Sequence, residues 1–192
     1  MTLEELFSAA RARKIPVIRE DSGKLLFDYV KQNRPARILE IGTAVGCSAL
    51  LMLKANPSAK IVTIELDESR FDEAHHNFAA FGVLNNVRQI LDDCTVAVRY
   101  LEGKYDLIFL DGPKGQYPDM LPYLIPLLAD GGAIFADDVS FFGAVNGNNI
   151  PPHKNRTIIM ELRRFRNMLE QNPDFELKFY DTTDGTLIAV KR

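Results

Sequence analysis

Three acidic residues and one lysine follow two apolar segments of this 192-residue chain. Asp111 comes directly after the apolar run 107–110, and Asp137 and Asp138 end the segment GGAIFADD. Lys114 stands three residues after Asp111. If both segments are neighbouring strands of a parallel sheet, their carboxyl ends lie at the same edge, where ligands bind. We therefore expect three carboxyl groups and one amine to meet at this edge.

This cluster has two interpretations. Like charges held close together need a cation or protons to compensate them, and carboxylate oxygens suit a hard cation such as Mg²⁺. A lysine beside a metal and an electrophile can take a proton from an acidic hydroxyl. Alternatively, Lys114 pairs with the acids and no metal binds. The position at strand ends favours the metal, with Asp111, Asp137 and Asp138 as its ligands and Lys114 as a catalytic residue.

A glycine turn and a second acid suggest a nucleotide-like ligand. LEIGTAVGCS follows the first apolar run, where Gly42 and Gly46 permit a tight turn, but the spacing matches neither a dinucleotide turn nor a P-loop. Glu65 ends the next strand, where a carboxylate can accept hydrogen bonds from ribose hydroxyls. The alternative is a solvated acid near a helix N-terminus. Because Asp67 can cap that helix, we favour an adenosine-type ligand at Glu65.

The segment LDDCT follows the third strand at the same sheet edge. Asp92 or Asp93 could accept a hydrogen bond from an exocyclic amine, or one of them could cap the next helix. Cys94 is interpreted as a small packing residue and not as a nucleophile.

The elements that must position these residues alternate along the chain. A first helix begins at the capping box after Thr2 and ends by Pro16, and a second spans about residues 21–32. Five apolar strands then alternate with amphipathic segments, which predicts an α/β domain with a parallel sheet and helices on both faces. FELKFY and TLIAVKR, joined by DTTDG, predict a closing hairpin. We expect one domain over residues 1–192, with a mobile loop at 146–149.

Composition limits the class of protein. The formal net charge of −3 argues against a strongly basic nucleic-acid binder but allows a local basic patch. The two cysteines have no CxxC spacing and no signal peptide precedes them, so reduced thiols and a cytoplasmic location are expected. No apolar run is long enough to span a membrane.

Several ordered motifs together resemble one known family. ILEIGTAVGCSAL, VTIELD, YDLIFLDGPKGQYPD, GGAIFADDVSFFG and DGTLIAV are similar to segments of the cation-dependent O-methyltransferases, which include catechol and caffeoyl-CoA O-methyltransferases. The resemblance implies a Rossmann-like, seven-stranded, mostly parallel sheet whose last strand is antiparallel. It also implies S-adenosylmethionine as cofactor, a divalent cation, a homodimer, and N-terminal helices at 1–34 that cover the site.

The resemblance implies cofactor contacts at specific positions. They are Glu40, Gly42 and Ser48 around the methionine end, Glu65 at the ribose, Asp93 with Cys94 by the adenine, and Ile18 before the second helix. It assigns the metal to Asp111, Asp137 and Asp138, with Asp111 also near the cofactor, and catalysis to Lys114 and Asp111. Asp138 departs from the family pattern, which has asparagine there.

The expected acceptor is an RNA base. NRTIIMELRRF resembles the bacterial tRNA 5-hydroxyuridine methyltransferases, and basic residues lie there and at Arg11, Arg13, Lys14 and Arg19. The basic residues on the long helix are Arg156, Arg163, Arg164 and Arg166, preceded by His153 and Lys154. The alternatives are a solvated basic face or dimer rim, a small catechol or phenol as acceptor, and a catalytically silent cofactor-binding protein.

Overall fold

The computed structural model describes residues 1–140 and 155–192. Within these ranges the strands form one seven-stranded sheet. They are β1 (Arg37–Ile41), β2 (Lys60–Glu65), β3 (Val87–Leu91), β4 (Tyr105–Leu110), β5 (Leu128–Ala136), β6 (Phe175–Tyr180) and β7 (Thr186–Lys191). Their order across the sheet is β3-β2-β1-β4-β5-β7-β6, and β7 runs antiparallel to both of its neighbours. The predicted fold class is confirmed.

Helices connect these strands, as the alternating pattern predicted. They are α1 (Leu3–Ala12), α2 (Glu20–Asn33), α3 (Cys47–Ala55), α4 (Glu68–Ala80), α5 (Cys94–Ala97), α6 (Tyr117–Leu127) and α7 (Arg156–Glu170). Two short 3₁₀ turns lie at Leu84–Asn86 and Lys114–Gln116. Among the described residues, no helix combines the length and apolar character that crossing a bilayer requires. The loop expected at 146–149 lies outside these residues.

Two boundaries differ from the sequence expectation. The capping box at Thr2 is confirmed, but α1 ends at Ala12 and not at Pro16, because the N–H of Lys14 bonds back to Arg11 and Lys14 adopts a left-handed φ of 59°. Strand β5 begins at Leu128, three residues before the predicted GGAIFADD segment, and a register shift in its pairing with β4 accommodates the extra residues. Both differences leave the sheet topology as predicted.

The core is divided between the two faces of the sheet. Alternate residues of β4 enter opposite clusters: Ile108 and Leu110 pack with α5, α6 and α7, whereas Leu107 and Phe109 pack with α1 to α4. Burial on both faces explains why these strands are continuous apolar runs in the sequence. Because β1 lies between β2 and β4, connections leave β1 and β4 in opposite directions, and a crevice opens at their carboxyl ends.

Candidate active site

A cavity of about 440 Å³ lies at the carboxyl ends of β1, β2 and β4. Its wall combines the turn after β1, the loops after β2 and β3, and the segment before α2. The candidate site residues of the sequence analysis that line it are Ile18, Gly42, Ser48, Glu65, Asp92, Asp93, Cys94, Asp111 and Lys114. The structure thus brings together all but one of the expected cofactor contacts.

Gly42 allows the loops after β1 and β4 to touch. Its φ is +101°, and a Cβ placed on it would lie 2.6 Å from the carbonyl oxygen of Asp111. Such an approach excludes any side chain, so this position requires glycine. Gly46 has the same requirement, because a Cβ there would lie 2.7 Å from the ring of Phe78.

Glu65 ends β2 at the cavity wall and is held by the backbone. Its Oε2 accepts a hydrogen bond from the N–H of Ala44 at 2.8 Å, and its Oε1 accepts from the N–H groups of Leu66 and Asp67 at 3.0 Å each. Asp67 caps α4 by accepting from the N–H of Arg70, as predicted. The carboxylate of Glu65 is therefore fixed in orientation, and its contact with a ribose stays a prediction.

Glu40 is the expected contact that does not line the cavity. It is fully buried, and its carboxyl group accepts hydrogen bonds from Ser48 Oγ at 2.5 Å and Thr63 Oγ1 at 2.6 Å. Burial raises the pKa of Glu40 to about 7, and the two hydroxyl donors act against this rise. Glu40 therefore reaches the cavity through Ser48, whose hydroxyl it orients.

Asp93 and Cys94 follow β3. Asp93 caps α5, accepting hydrogen bonds from the N–H and hydroxyl of Thr95, which lower the pKa of its carboxyl group. Of the two aspartates, Asp93 is therefore the one that caps the helix, which the sequence analysis gave as an alternative to binding an amine. Burial raises the pKa of the Cys94 thiol to about 11, so it is protonated at neutral pH, as expected of a packing residue.

A second, more open cleft of about 1040 Å³ adjoins the first cavity. Its floor carries Asp111, Lys114, Asp137 and Asp138. Ile18, Asp111 and Lys114 line both spaces, and Ile18 is buried at their shared wall. The structure therefore gathers the three acids and the lysine beside the glycine-lined cavity.

Lys114 makes ion pairs with two of the three acids. Its Nζ lies 3.4 Å from Asp111 Oδ1 and 3.2 Å from Asp138 Oδ2. Burial raises the pKa of Asp111 to about 6, with Asp137 and Asp138 adding to the rise and Lys114 opposing it. For Lys114, burial would lower the pKa, but the charges of Asp111 and Asp138 outweigh it and the pKa is raised. The lysine is therefore an ammonium ion here.

The chemistry of the donor set fits a hard cation. Asp138 takes a left-handed φ of 57°, and its Oδ1 is buried without a hydrogen-bond partner among the described residues. The side chains of the described residues nevertheless form no group of three acid, histidine or cysteine ligands close enough to hold a metal as they stand. The structure thus shows the lysine-paired arrangement, and a cation requires Asp111, Asp137 and Asp138 to turn towards one point.

Several basic residues of the two segments noted in the sequence form ion pairs with acidic side chains. On α7, Arg164 pairs with Asp119 and Glu161, while Arg166 pairs with Glu170 and stacks over Phe179. His153 and Lys154 lie outside the described residues. At the other segment, the residues that line the open cleft are Arg11, Lys14 and Arg19, and Arg13 pairs with Glu73. The N-terminal cluster is therefore the one at the cleft.

Sequence reasoning missed several buried hydroxyl groups. Thr186 donates a hydrogen bond to Asp137 Oδ1 at 3.1 Å, and Ser22 Oγ lies 3.3 Å from Thr186 Oγ1. Thr63 supports Glu40 as described above. DTTDGT and EDSG carry these residues, but threonines and serines are ordinary in turns and at helix starts. No signal in the sequence pairs them with an acid.

Comparisons with known proteins agree with this geometry. A sequence model of the O-methyltransferase family matches residues 2–192. The chain is 25% identical over 199 residues to the catechol O-methyltransferase of Mycobacterium tuberculosis, covering 99% of this chain and 88% of that protein. It is 27% identical over 120 residues to O-methyltransferase hkm8 of Aspergillus hancockii, covering 60% of this chain but only 48% of that protein's length.

A solved structure with a bound cofactor extends the comparison. The O-methyltransferase TomG from Streptomyces achromogenes, in complex with S-adenosylmethionine, superposes with a TM-score of 0.87 at 27% identity, covering 98% of this chain and 88% of that chain. The family match spans nearly the whole sequence and the fold agrees with it. This chain therefore belongs to the O-methyltransferase family and is an S-adenosylmethionine-dependent O-methyltransferase.

Proposed function

We propose that this enzyme methylates an acidic hydroxyl that lies beside a second oxygen, with a divalent cation held by Asp111, Asp137 and Asp138. The shared wall of the two cavities carries the proposal. A methyl donor in the glycine-lined cavity would face an acceptor in the acid-lined cleft across Ile18 and Lys114. Methyl transfer is an in-line displacement, so it needs two adjoining spaces of this kind.

The cofactor would be bound by groups that are already oriented. Glu65 would present its fixed carboxylate to the ribose, and Gly42 would let the backbone approach the ligand. Ser48, oriented by Glu40, would face the methionine end. Asp93 and Cys94 line the side where the adenine would lie.

Lys114 and the acids would act on the acceptor. A bound cation of the Mg²⁺ type stabilises an oxyanion and lowers the pKa of a hydroxyl that it contacts. Lys114, which lines both spaces, would donate a hydrogen bond to the acceptor oxygen and hold it as an anion.

We propose 5-hydroxyuridine in the anticodon loop of tRNA as that acceptor, converted to 5-methoxyuridine. Its hydroxyl is acidic and has a carbonyl oxygen beside it. An open cleft suits a base splayed out of a loop, and Arg11 and Lys14 on its lining suit neighbouring phosphates. The second candidate is a small catechol, which the name of the Mycobacterium tuberculosis relative favours. Both acceptors place two oxygens side by side.

One experiment separates the two acceptors. Purified enzyme is given S-adenosylmethionine and either tRNA that contains 5-hydroxyuridine or a panel of catechols, and methylated products are measured by mass spectrometry. We expect a gain of one methyl group on the tRNA nucleoside. Turnover of a catechol with none of the tRNA would move the small-molecule candidate ahead. Turnover of neither would contradict both acceptors.

The cation and the assembly need separate tests. Exhaustive chelation followed by Mg²⁺ addition should abolish and then restore turnover, whereas full activity after chelation would contradict the three-acid site. Binding of S-adenosylmethionine alone, measured by calorimetry in both conditions, shows that the cofactor cavity is intact. The proposed homodimer is tested by light scattering of the purified chain.

A further inference from the structure

The turn between β6 and β7 is packed against the acids that follow β5. The N–H of Val139 donates to the carbonyl of Gly185 at 3.0 Å, and the N–H of Ser140 donates to the carbonyl of Asp184 at 3.0 Å. Gly185 has a φ of +74°, and a Cβ there would lie 2.5 Å from Ser140. The close approach places Thr186, the first residue of β7, directly beside Asp137.

Two buried hydroxyl groups and a half-buried one meet at this point. Thr186 Oγ1 lies 3.1 Å from Asp137 Oδ1, 2.9 Å from Thr182 Oγ1 and 3.3 Å from Ser22 Oγ. Thr186, Ser22 and Asp137 are all nearly inaccessible to solvent, with exposed fractions of 1%, 0% and 4%. The contact between Thr186 and Asp137 is therefore well shielded from bulk water.

The number of hydrogens determines the direction of these bonds. A threonine hydroxyl has one hydrogen to donate, and an ionised carboxylate can only accept. The hydrogen of Thr186 must therefore point to Asp137, and the hydroxyls of Thr182 and Ser22 donate to Thr186 or to other acceptors. Thr186 therefore donates to Oδ1 of Asp137 and holds that oxygen, and Ser22 and the N–H of Asp138 also act on this carboxylate.

The same turn is attached to the start of α2. Asp21 Oδ2 accepts hydrogen bonds from the N–H and the hydroxyl of Thr183, at 2.5 Å and 2.8 Å, and Arg19 pairs with Asp184. Ser22 follows Asp21, so its hydroxyl is brought to Thr186 by the same attachment. Helix α2, the turn and Asp137 therefore form one connected unit although they are far apart in sequence.

We infer that Thr186 is a positioning residue. Its buried hydroxyl, which also contacts the hydroxyl of Ser22, orients Asp137 for the ligand at the acid cluster. The inference rests on the cation site proposed above. It assigns to Thr186 a role that the family match does not provide. Partners that orient a metal ligand in this way usually contribute about ten- to a hundredfold to metal affinity.

Three variants and one probe test the inference. Thr186→Val keeps the shape of the side chain and removes its hydroxyl, Thr186→Ser keeps the hydroxyl, and Thr182→Val removes a hydroxyl that contacts Thr186 but not Asp137. The dissociation constant of Mn²⁺, a cation that also prefers oxygen ligands, is measured by calorimetry on each protein without an acceptor. The dissociation constant of S-adenosylmethionine reports on the cofactor cavity.

We expect Thr186→Val to weaken Mn²⁺ binding about tenfold, and both other variants to stay within about twofold of the wild type. Unchanged Mn²⁺ binding by Thr186→Val would overturn the inference while leaving the cation site in place. Equal weakening by Thr182→Val would overturn it in favour of general packing of the turn. Wild-type protein that binds no Mn²⁺ would contradict the cation site itself, and this inference with it.

Discussion

Lys114 Nζ lies 3.2 Å from Oδ2 of Asp138, closer than its 3.4 Å distance to Asp111. The resemblance to the cation-dependent family implies asparagine at this position, whereas this chain places a second carboxylate beside the lysine. The ammonium group is held from two sides in a part-buried site. Its position, and not only its charge, is therefore set by the protein.

Replacing Lys114 by alanine should reduce turnover by about a hundredfold or more, because the oxyanion of the acceptor loses its donor. Binding of S-adenosylmethionine should change less than about threefold, since the cofactor is held mainly by other groups. Steady-state kinetics and calorimetry measure the two quantities. Lys104→Ala, at the opposite end of β4, is the control and should behave as wild type. Full activity of Lys114→Ala at saturating acceptor would remove Lys114 from the mechanism.

Gly42→Ala should abolish cofactor binding, because the new Cβ would lie 2.6 Å from the backbone oxygen of Asp111. Gly82→Ala is a matched control: that glycine also has a left-handed φ, of +70°, but nothing lies within 4 Å of a Cβ there. Both variants carry the backbone cost of alanine at positive φ, about 1 kcal/mol. Only Gly42→Ala adds the clash. Equal cofactor affinity in the two variants, measured by calorimetry, would show that the contact is unimportant.

Glu65→Gln should weaken cofactor binding about tenfold or more. The carboxylate accepts three backbone N–H groups, whereas glutamine offers one acceptor oxygen and turns an NH₂ group towards the remaining donors. The loop at Ala44 would then lose its anchor. Glu68→Gln, an exposed substitution in the first turn of α4, provides the comparison. The prediction fails if S-adenosylhomocysteine titrates both variants with the same dissociation constant.

Glu40 should make the stability of this protein depend on pH. Its pKa is about 7 in the folded protein, and the unfolded chain releases the same proton near the ordinary value of 4.5. Between these values the folded state retains a proton that the unfolded state has lost, so this contribution to stability falls as the pH rises. Below pH 4.5 both states are protonated and the contribution is constant.

Glu40→Gln removes this contribution, because glutamine does not titrate. Relative to wild type, the variant should gain stability as the pH rises from 4.5 to 7, by on the order of 3 kcal/mol. Urea denaturation at pH 5 and pH 8 measures the difference, with Glu68→Gln as an exposed control. A wild-type to variant difference that is the same at both pH values would place the pKa of Glu40 near its ordinary value.

Local patterns determined most of the fold. Alternating apolar strands and amphipathic helices, a capping box at Thr2 and a capping aspartate at Asp67 all depend on residues a few positions apart. Such spacings are set by the periods of helices and strands, so they can be read along the chain. The same reasoning placed Gly42, Glu65, Asp111 and the Asp137–Asp138 pair at one sheet edge, where the structure has them.

Only the tertiary packing decided which side chains of the site contact one another. The sequence left open whether Lys114 pairs with the acids, and the structure pairs it with Asp111 and Asp138. Glu40 lies behind the cavity wall because Ser48 and Thr63 bind it there. Thr186 reaches Asp137 only because β7 inserts between β5 and β6. Contacts between distant residues follow from the order of the strands and the burial of both sheet faces, and no local spacing encodes them.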